Sequence, residues 1–234
     1  MAENGVEYSV VVPVYNEEES LEVLFGEIRQ VMNGLPGGYE VFFVNDCSDD
    51  SSIEIIRRLS GENGGVVRLI DLPRRSGQTC ALRAGIEAAS GRVIITLDAD
   101  LQNDPADILR LLEKMREDNC DMVCGWRLAR RDTFLKARLS KLGNVLQRLF
   151  TGMRIHDISC TLRAFKKEAG RRIALNWEGQ HRFIPLSLSL QGFKVSEIVS
   201  NHRDRRFGHS KYGHKRIFRV MVDFLRVMAA KGRR

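Results

Sequence analysis

The segment LDADLQNDP at 97–105 sets Asp98, Asp100 and Gln102 at i, i+2 and i+4, directly after the apolar run RVIITL at 92–97. If the chain stays extended there, alternate side chains point the same way and the three share one face. Two carboxylates and an amide oxygen leaving a buried strand suit a hard divalent cation such as Mg²⁺ or Mn²⁺, which fills its remaining positions with phosphate and water. Such an ion would hold a diphosphate and neutralise the charge that develops on it as it leaves. The DxD triplet alone is equally explained as a solvated turn, with Asn103 or Asp104 capping a helix at Pro105. The buried run before it favours the chemistry.

Other phosphate-binding signatures are missing. No GxGxxG follows the first apolar run, and no GxxxxGK[ST] occurs anywhere. Arg75-Ser76-Gly77-Gln78-Thr79 resembles a phosphate loop only distantly, and a tight turn before a helix explains Gly77 as well. The five cysteines, Cys47, Cys80, Cys120, Cys124 and Cys160, are odd in number and form no CxxC, which argues against zinc and a disulfide framework. Reduced thiols in a cytosolic protein fit best. His202, His209 and His214 lack Cys or acidic partners at ligand spacing and read as solvated surface.

The elements that must position these groups alternate between two periods. Strands are expected at Tyr8–Val14, Glu40–Val44, Val66–Leu72, Arg92–Leu97 and Asp121–Gly125. Helices are expected at Glu18–Met32, Ser51–Leu59, Gly77–Ala89 and Pro105–Asp118, the first capped by Asn16. This βαβα order with short connections predicts an α/β fold, three layers around a mostly parallel sheet. Ligands of such sheets bind beyond the carboxyl ends of the strands. Tyr15-Asn16-Glu17, Asn45-Asp46-Cys47-Ser48 and Asp98-Ala99-Asp100 all stand there. Two basic amphipathic helices are expected further on, at Phe134–Phe150 and Lys215–Met228. No internal repeat or linker divides the 234 residues, so one domain is expected over 1–234.

The net charge of +7 conceals an asymmetry. Residues 1–125 hold 11 Lys/Arg and 23 Asp/Glu, a balance of −12, and residues 126–234 hold 26 and 7, a balance of +19. The second half therefore expects an anionic partner. A nucleic acid is disfavoured, because aromatic residues do not alternate with the basic ones as in stacking platforms. No run of about 18 apolar residues and no signal peptide are present, so any membrane contact is expected to be peripheral.

Taken in order, VVPVYNEEESL (11–21), FVNDCSDDS (43–51), RRSGQTCALRAG (74–85), LDADLQNDP (97–105), GWR (125–127), HDISCTLRAFKK (156–167), HRFIP (181–185) and HRDRRFGHSKYG (202–213) make the chain resemble the family-2 glycosyltransferases of the GT-A fold. More narrowly it resembles the polyprenyl- and dolichyl-phosphate sugar synthases, the group that includes dolichol-phosphate mannose synthase. The resemblance implies a Rossmann-like GT-A domain with a nucleotide-sugar half (1–125) and a basic acceptor- and membrane-facing half (126–234). It implies that Pro13, Tyr15, Glu17 and Asp46 line the nucleotide pocket, and that Asp98, Asp100 and Gln102 hold the metal and diphosphate. It implies an acidic residue, Asp157, beside the reacting centre, with Arg127, Arg163, Arg206, Ser210 and Lys211 on the phosphates of acceptor or donor. A structural ion pair of Asp157 with Arg154 or Arg163 is the alternative. Asn45 and Cys47 depart from the family's usual Asp-Asp-Gly-Ser. The activity implied is inverting transfer of a hexose from a GDP-mannose or UDP-glucose type donor to a polyprenyl or dolichyl phosphate. It would occur on the cytoplasmic face of a membrane, reached directly or through a membrane-spanning partner subunit. The alternatives are a polysaccharide synthase, whose QxxRW signature Gln180-His181-Arg182-Phe183 does not match, and a non-catalytic sugar-nucleotide or nucleic-acid binder.

Overall fold

Val10, Val11 and Val12 are completely buried, so the first strand carries apolar side chains on both faces. Such a strand belongs at the centre of a sheet covered on both sides. The computed structural model, which describes residues 5–128, 155–204, 222–224 and 226–227, has this arrangement.

The element order is β1 (Val6–Val14), α1 (Leu21–Met32), β2 (Gly38–Asn45), α2 (Ser52–Glu62), β3 (Val67–Asp71), α3 (Gln78–Ala88), β4 (Val93–Thr96), α4 (Asp107–Glu117) and β5 (Met122–Trp126). Then come β6 (Arg163–Lys166), α5 (Lys167–Gly170), a 3₁₀ turn (Gln180–Phe183), α6 (Ile184–Leu190) and β7 (Val195–Val199). Seven strands form one sheet in the order β3-β2-β1-β4-β6-β5-β7. The pairs β1–β2, β1–β4, β2–β3 and β5–β7 are parallel, while β6 is antiparallel to both β4 and β5. The expected α/β architecture is present, and the sheet draws strands from both halves of the chain.

Side-chain alternation along β1 and β2 divides the core in two. Val10, Val12, Val14, Val41 and Phe43 meet Leu24 and Ile28 of α1, Ile56 of α2 and Leu111 of α4. Val11, Phe42 and Val44 meet Leu82 and Ile86 of α3 and Leu186 of α6 on the other face. The five cysteines are free, and Cys120, Cys124 and Cys160 are buried. Burial pushes the Cys160 thiol up to about 11, which leaves it unreactive at neutral pH.

Two expectations need correction, and two strands were not foreseen. Asn16 does not cap α1, which begins only at Leu21 after Ser20. With φ +53 it turns the chain instead, and its side chain pairs with Asp49 across the loop that follows β2. The segment after β4 does not stay extended: Leu101 has φ +60 and buries its side chain, and Asp100 Oδ1 accepts the Gln102 N–H at 3.2 Å. Strand alternation therefore does not carry Gln102 to the face of Asp98 and Asp100. The strands β6 and β7 were not expected, since four or five residues among loops carry little periodicity. The helices expected at 134–150 and 215–228 lie outside the described residues, apart from 222–224 and 226–227, which are helical.

Candidate active site

Beyond the carboxyl ends of β1, β2 and β4 opens a cleft of about 310 Å³. Pro13, Val14, Tyr15, Glu17, Asp46, Arg75, Gly77, Gln78, Ala81, Asp98, Ala99, Asp100 and Glu178 line it, and each part is positioned by a different loop.

At one end Arg75 stacks on the Tyr15 ring, its guanidinium carbon 4.0 Å from the ring centroid. Ser48 and Ser52 accept the backbone N–H groups of Asn16 and Glu17 at 3.0 and 2.9 Å, so the loops after β1 and β2 brace each other. Asp46 is buried, and its two oxygens accept the Ser76 and Gly77 N–H groups at 2.6 and 2.8 Å. These amides open α3, and a carboxylate there also suits the positive end of the helix dipole. Asn45 in place of an aspartate has a local reason. Its amide donates to Asp71 Oδ1 at 2.8 Å on the neighbouring strand, where a second carboxylate would repel.

At the other end sits the pair from LDAD. Asp98 Oδ1 accepts from the Gln78 amide at 2.7 Å, and Oδ2 accepts from the Thr161 hydroxyl at 2.6 Å. Thr161 is within reach because β6 lies antiparallel to β4, and Thr96 donates to its carbonyl at 2.7 Å. Burial pushes the Asp98 carboxyl up to about 6, and the nearby charge of Asp100 adds to the rise. The Thr161 hydroxyl, Arg127 and Arg163 pull the other way. Two crowded carboxylates of this kind form a donor set that a divalent cation relieves, so the residues fit a metal. Among the described residues no group of three or more His, Cys, Asp or Glu is arranged to hold one, so phosphate oxygens would have to complete the shell.

Behind this pair lies an ion pair. Arg127 donates from Nε and Nη2 to the two oxygens of Asp157 at 2.7 and 3.0 Å, and from Nη2 to Ser159 at 2.9 Å. Burial works against the Arg127 charge, but the Asp157 carboxylate outweighs it and raises the pKa. The preceding residues pair as well: Trp126 stacks on His156 with centroids 4.1 Å apart, and His156 is held by Glu197. Among the described residues the basic partner of Asp157 is therefore Arg127 and not Arg163, while Arg154 lies outside the described residues. Arg163 is 1% exposed and donates to the carbonyls of His181 and Ile158 at 2.8 and 3.0 Å.

Pro13, Tyr15, Glu17, Asp46, Asp98 and Asp100 thus share one cleft. Gln102, Arg127, Asp157 and Arg163 do not line it, although the charges of Arg127 and Arg163 act on Asp98. Arg206, Ser210 and Lys211 lie outside the described residues, as do His209 and His214. His202 bridges to Asn103 and is partly buried, not solvated surface. Sequence reasoning missed Arg75, Gln78, Thr161 and Glu178. Gln78 stood in the loop that was set aside. Glu178 gave no local signal, because the Thr79 N–H that holds it at 3.1 Å lies 99 positions away.

Comparison with known proteins agrees with this geometry. Residues 9–173 match the model of the family described as glycosyl transferase family 2. The chain is 37% identical over 227 residues to a dodecaprenyl-phosphate galacturonate synthase of Rhizobium johnstonii, covering 96% of this chain and 67% of that protein. It is 35% identical over 217 residues to an undecaprenyl-phosphate 4-deoxy-4-formamido-L-arabinose transferase of Serratia proteamaculans, covering 93% and 66%. It thus spans about two thirds of the length of these relatives. A solved structure of glucosyl-3-phosphoglycerate synthase from Mycobacterium tuberculosis, in complex with Mn²⁺, uridine diphosphate and phosphoglyceric acid, matches with a TM-score of 0.69. That match is 19% identical and covers 97% of this chain and 80% of that one, which shows a shared fold. With the family match running from β1 past β6, across every strand that contributes to the cleft, the chain belongs to glycosyl transferase family 2 and is a glycosyltransferase.

Proposed function

We propose that the chain moves a hexose from a nucleotide-diphosphate sugar of the GDP-mannose or UDP-glucose type to a polyprenyl or dolichyl phosphate, with inversion. The observation that carries this is the doubly held Asp98 beside Asp100, in a cleft that also contains the Tyr15–Arg75 stack. The polyprenyl phosphate acceptor is supported by the two relatives named for dodecaprenyl- and undecaprenyl-phosphate transfer.

Asp98 and Asp100 would hold Mg²⁺ or Mn²⁺, and Gln102, which does not line the cleft, is left out of this set. The ion would supply charge neutralisation for the departing diphosphate. Gln78 and Thr161 fix both oxygens of Asp98 and so set the direction in which it presents its charge. Tyr15, Pro13 and Arg75 form the wall against the nucleoside, and Asp46 keeps the loop at 75–77 in place. The acceptor phosphate is already largely ionised near neutrality, its second pKa being about 6, and needs little help from a base. Asp157 therefore acts as an orienting partner of Arg127, whose fork geometry suits a phosphate. Arg163 positions the carbonyls around the site. Arg206, Ser210 and Lys211 complete the phosphate contacts in this proposal. The reaction runs on the cytoplasmic face of a membrane, the chain lying against an anionic surface or docked on a membrane-spanning partner.

The test is a panel of UDP- and GDP-sugars with Mg²⁺ or Mn²⁺ against a short polyprenyl phosphate. Transfer with one donor is expected, lost in EDTA and reduced at least about a hundredfold in Asp100→Ala while the fold persists. Full activity in EDTA, or transfer to a saccharide but never to the lipid phosphate, would overturn the proposal.

A further inference from the structure

The cleft contains a carboxylate that neither the metal pair nor the nucleoside wall accounts for. Glu178 is exposed, yet one hydrogen bond and a tightly fitted turn hold it in place. The Thr79 N–H, in the first turn of α3, donates to its Oε2 at 3.1 Å. Gly77, with φ +90, leaves the room it needs, since a Cβ there would lie 2.4 Å from that same oxygen. The turn behind it is clamped. The Gly179 N–H donates to Thr79 Oγ1 at 2.9 Å, and that hydroxyl lies 2.6 Å from His181 Nδ1. Gly179 itself has φ +97, and a Cβ on it would come within 2.8 Å of Arg182 Nη1 and 2.9 Å of Asp223 Oδ2.

Two left-handed glycines and a buried hydroxyl therefore aim one glutamate at the cleft wall. Helix capping alone does not call for this, because caps are ordinarily short polar side chains next to the helix in sequence. Two other carboxylates of the cleft are engaged at both oxygens: Asp46 is bonded by Ser76 and Gly77, and Asp98 by Gln78 and Thr161. Glu178 Oε1 has no protein hydrogen bond among the described residues, and Glu178 lines the same cleft as Gln78, the residue that holds Asp98.

We propose that Glu178 recognises the sugar of the donor, with Oε1 accepting sugar hydroxyl hydrogens. This rests on the donor site proposed above. A charge consequence follows. Among the described residues Glu17, Asp46, Asp98, Asp100 and Glu178 line the cleft with one guanidinium, that of Arg75. A neutral hexose suits Glu178, whereas a carboxylate on the sugar is opposed by it.

The test is calorimetric binding, with Mn²⁺, of UDP, GDP and matched sugar nucleotides to the wild-type chain and to Glu178→Gln. Glutamine keeps an oxygen for the Thr79 N–H, so α3 keeps its cap. The variant is expected to bind the nucleoside diphosphate alone unchanged, and to bind a neutral-hexose nucleotide about tenfold more weakly. It is expected to bind the corresponding uronate nucleotide more tightly than the wild type does. These opposite signs cannot come from a loosened helix. Equal changes for nucleotide and sugar nucleotide, or no change in either, would reduce Glu178 to a helix cap and overturn the proposal. If neither UDP nor GDP binds the wild-type chain, the donor-site proposal falls and takes this one with it.

Discussion

At Asp98 the fold and the proposed chemistry pull in opposite directions. Burial and the neighbouring Asp100 favour the neutral acid, lifting it from its ordinary 3.8 to about 6. As pH rises through that window the unfolded chain has released this proton and the native chain has not. Native stability therefore falls between the two values and does not recover above them. Asp98→Asn removes the titration. In divalent-free buffer the variant should melt above the wild type at pH 7.5, show no such gain near pH 4, and still lose turnover. A lower melting temperature at pH 7.5 would mean that the Gln78 and Thr161 hydrogen bonds outweigh the charge. Cys47 makes a separate case. It is exposed with φ +58, where a side chain costs about 1–2 kcal/mol per residue and glycine fits without strain. Cys47→Gly should therefore stabilise the chain by up to about 1 kcal/mol in urea titration, glycine's greater freedom when unfolded offsetting part of the relief.

At the scale of elements, α3 connects packing to the site. Its N-terminus carries Gln78 and Thr79, and its middle must approach β1 closely. A Cβ on Gly85 would lie 2.3 Å from Val11 Cγ1 and 3.1 Å from Val44 Cγ2. Gly85→Ala should destabilise the protein by about 1–3 kcal/mol, as overpacking does, despite the better helix propensity of alanine. Because the strain pushes α3 off the sheet, Gln78 shifts from Asp98, and kcat should fall along with the denaturation midpoint. An unchanged midpoint would show that Val11 can rotate away at no cost. The antiparallel β6 has a comparable part. By running back between β4 and β5 it brings Thr161 to Asp98 and Arg163 beneath the site.

At the scale of the whole molecule the charge is divided: −12 over residues 1–125, where most of the cleft lies, and +19 over the rest. Among the described residues no helix is long and apolar enough to cross a membrane. Near an anionic leaflet each Lys or Arg contributes about 1 kcal/mol, decaying over a Debye length of about 8 Å. The chain should co-sediment with phosphatidylglycerol vesicles at low salt, release at high salt and ignore neutral vesicles. Binding to neutral vesicles alike would defeat an electrostatic attachment, and no binding at all would favour a membrane-spanning partner.

By itself the sequence determined the parallel α/β half of the fold and most of the cleft. The runs at β1, β2 and β4 are apolar on both faces, which only a covered central strand tolerates, and the polar residues that end them must then meet at one edge of the sheet. Tyr15, Glu17, Asp46, Asp98 and Asp100 were legible for that reason, each lying within a few residues of a strand end, whereas Pro13 came only from the family resemblance. Only the tertiary structure decided the rest. Asn16, Cys47 and Leu101 take left-handed turns that no periodicity announces, and Leu101 breaks the alternation that would have put Gln102 with Asp98. The pairs Asp98–Thr161, Arg127–Asp157 and Thr79–Glu178 join residues 63, 30 and 99 positions apart. Such contacts leave no local pattern. They exist because β6 returns antiparallel beside β4 and because the turn at Gly179 docks on the first turn of α3.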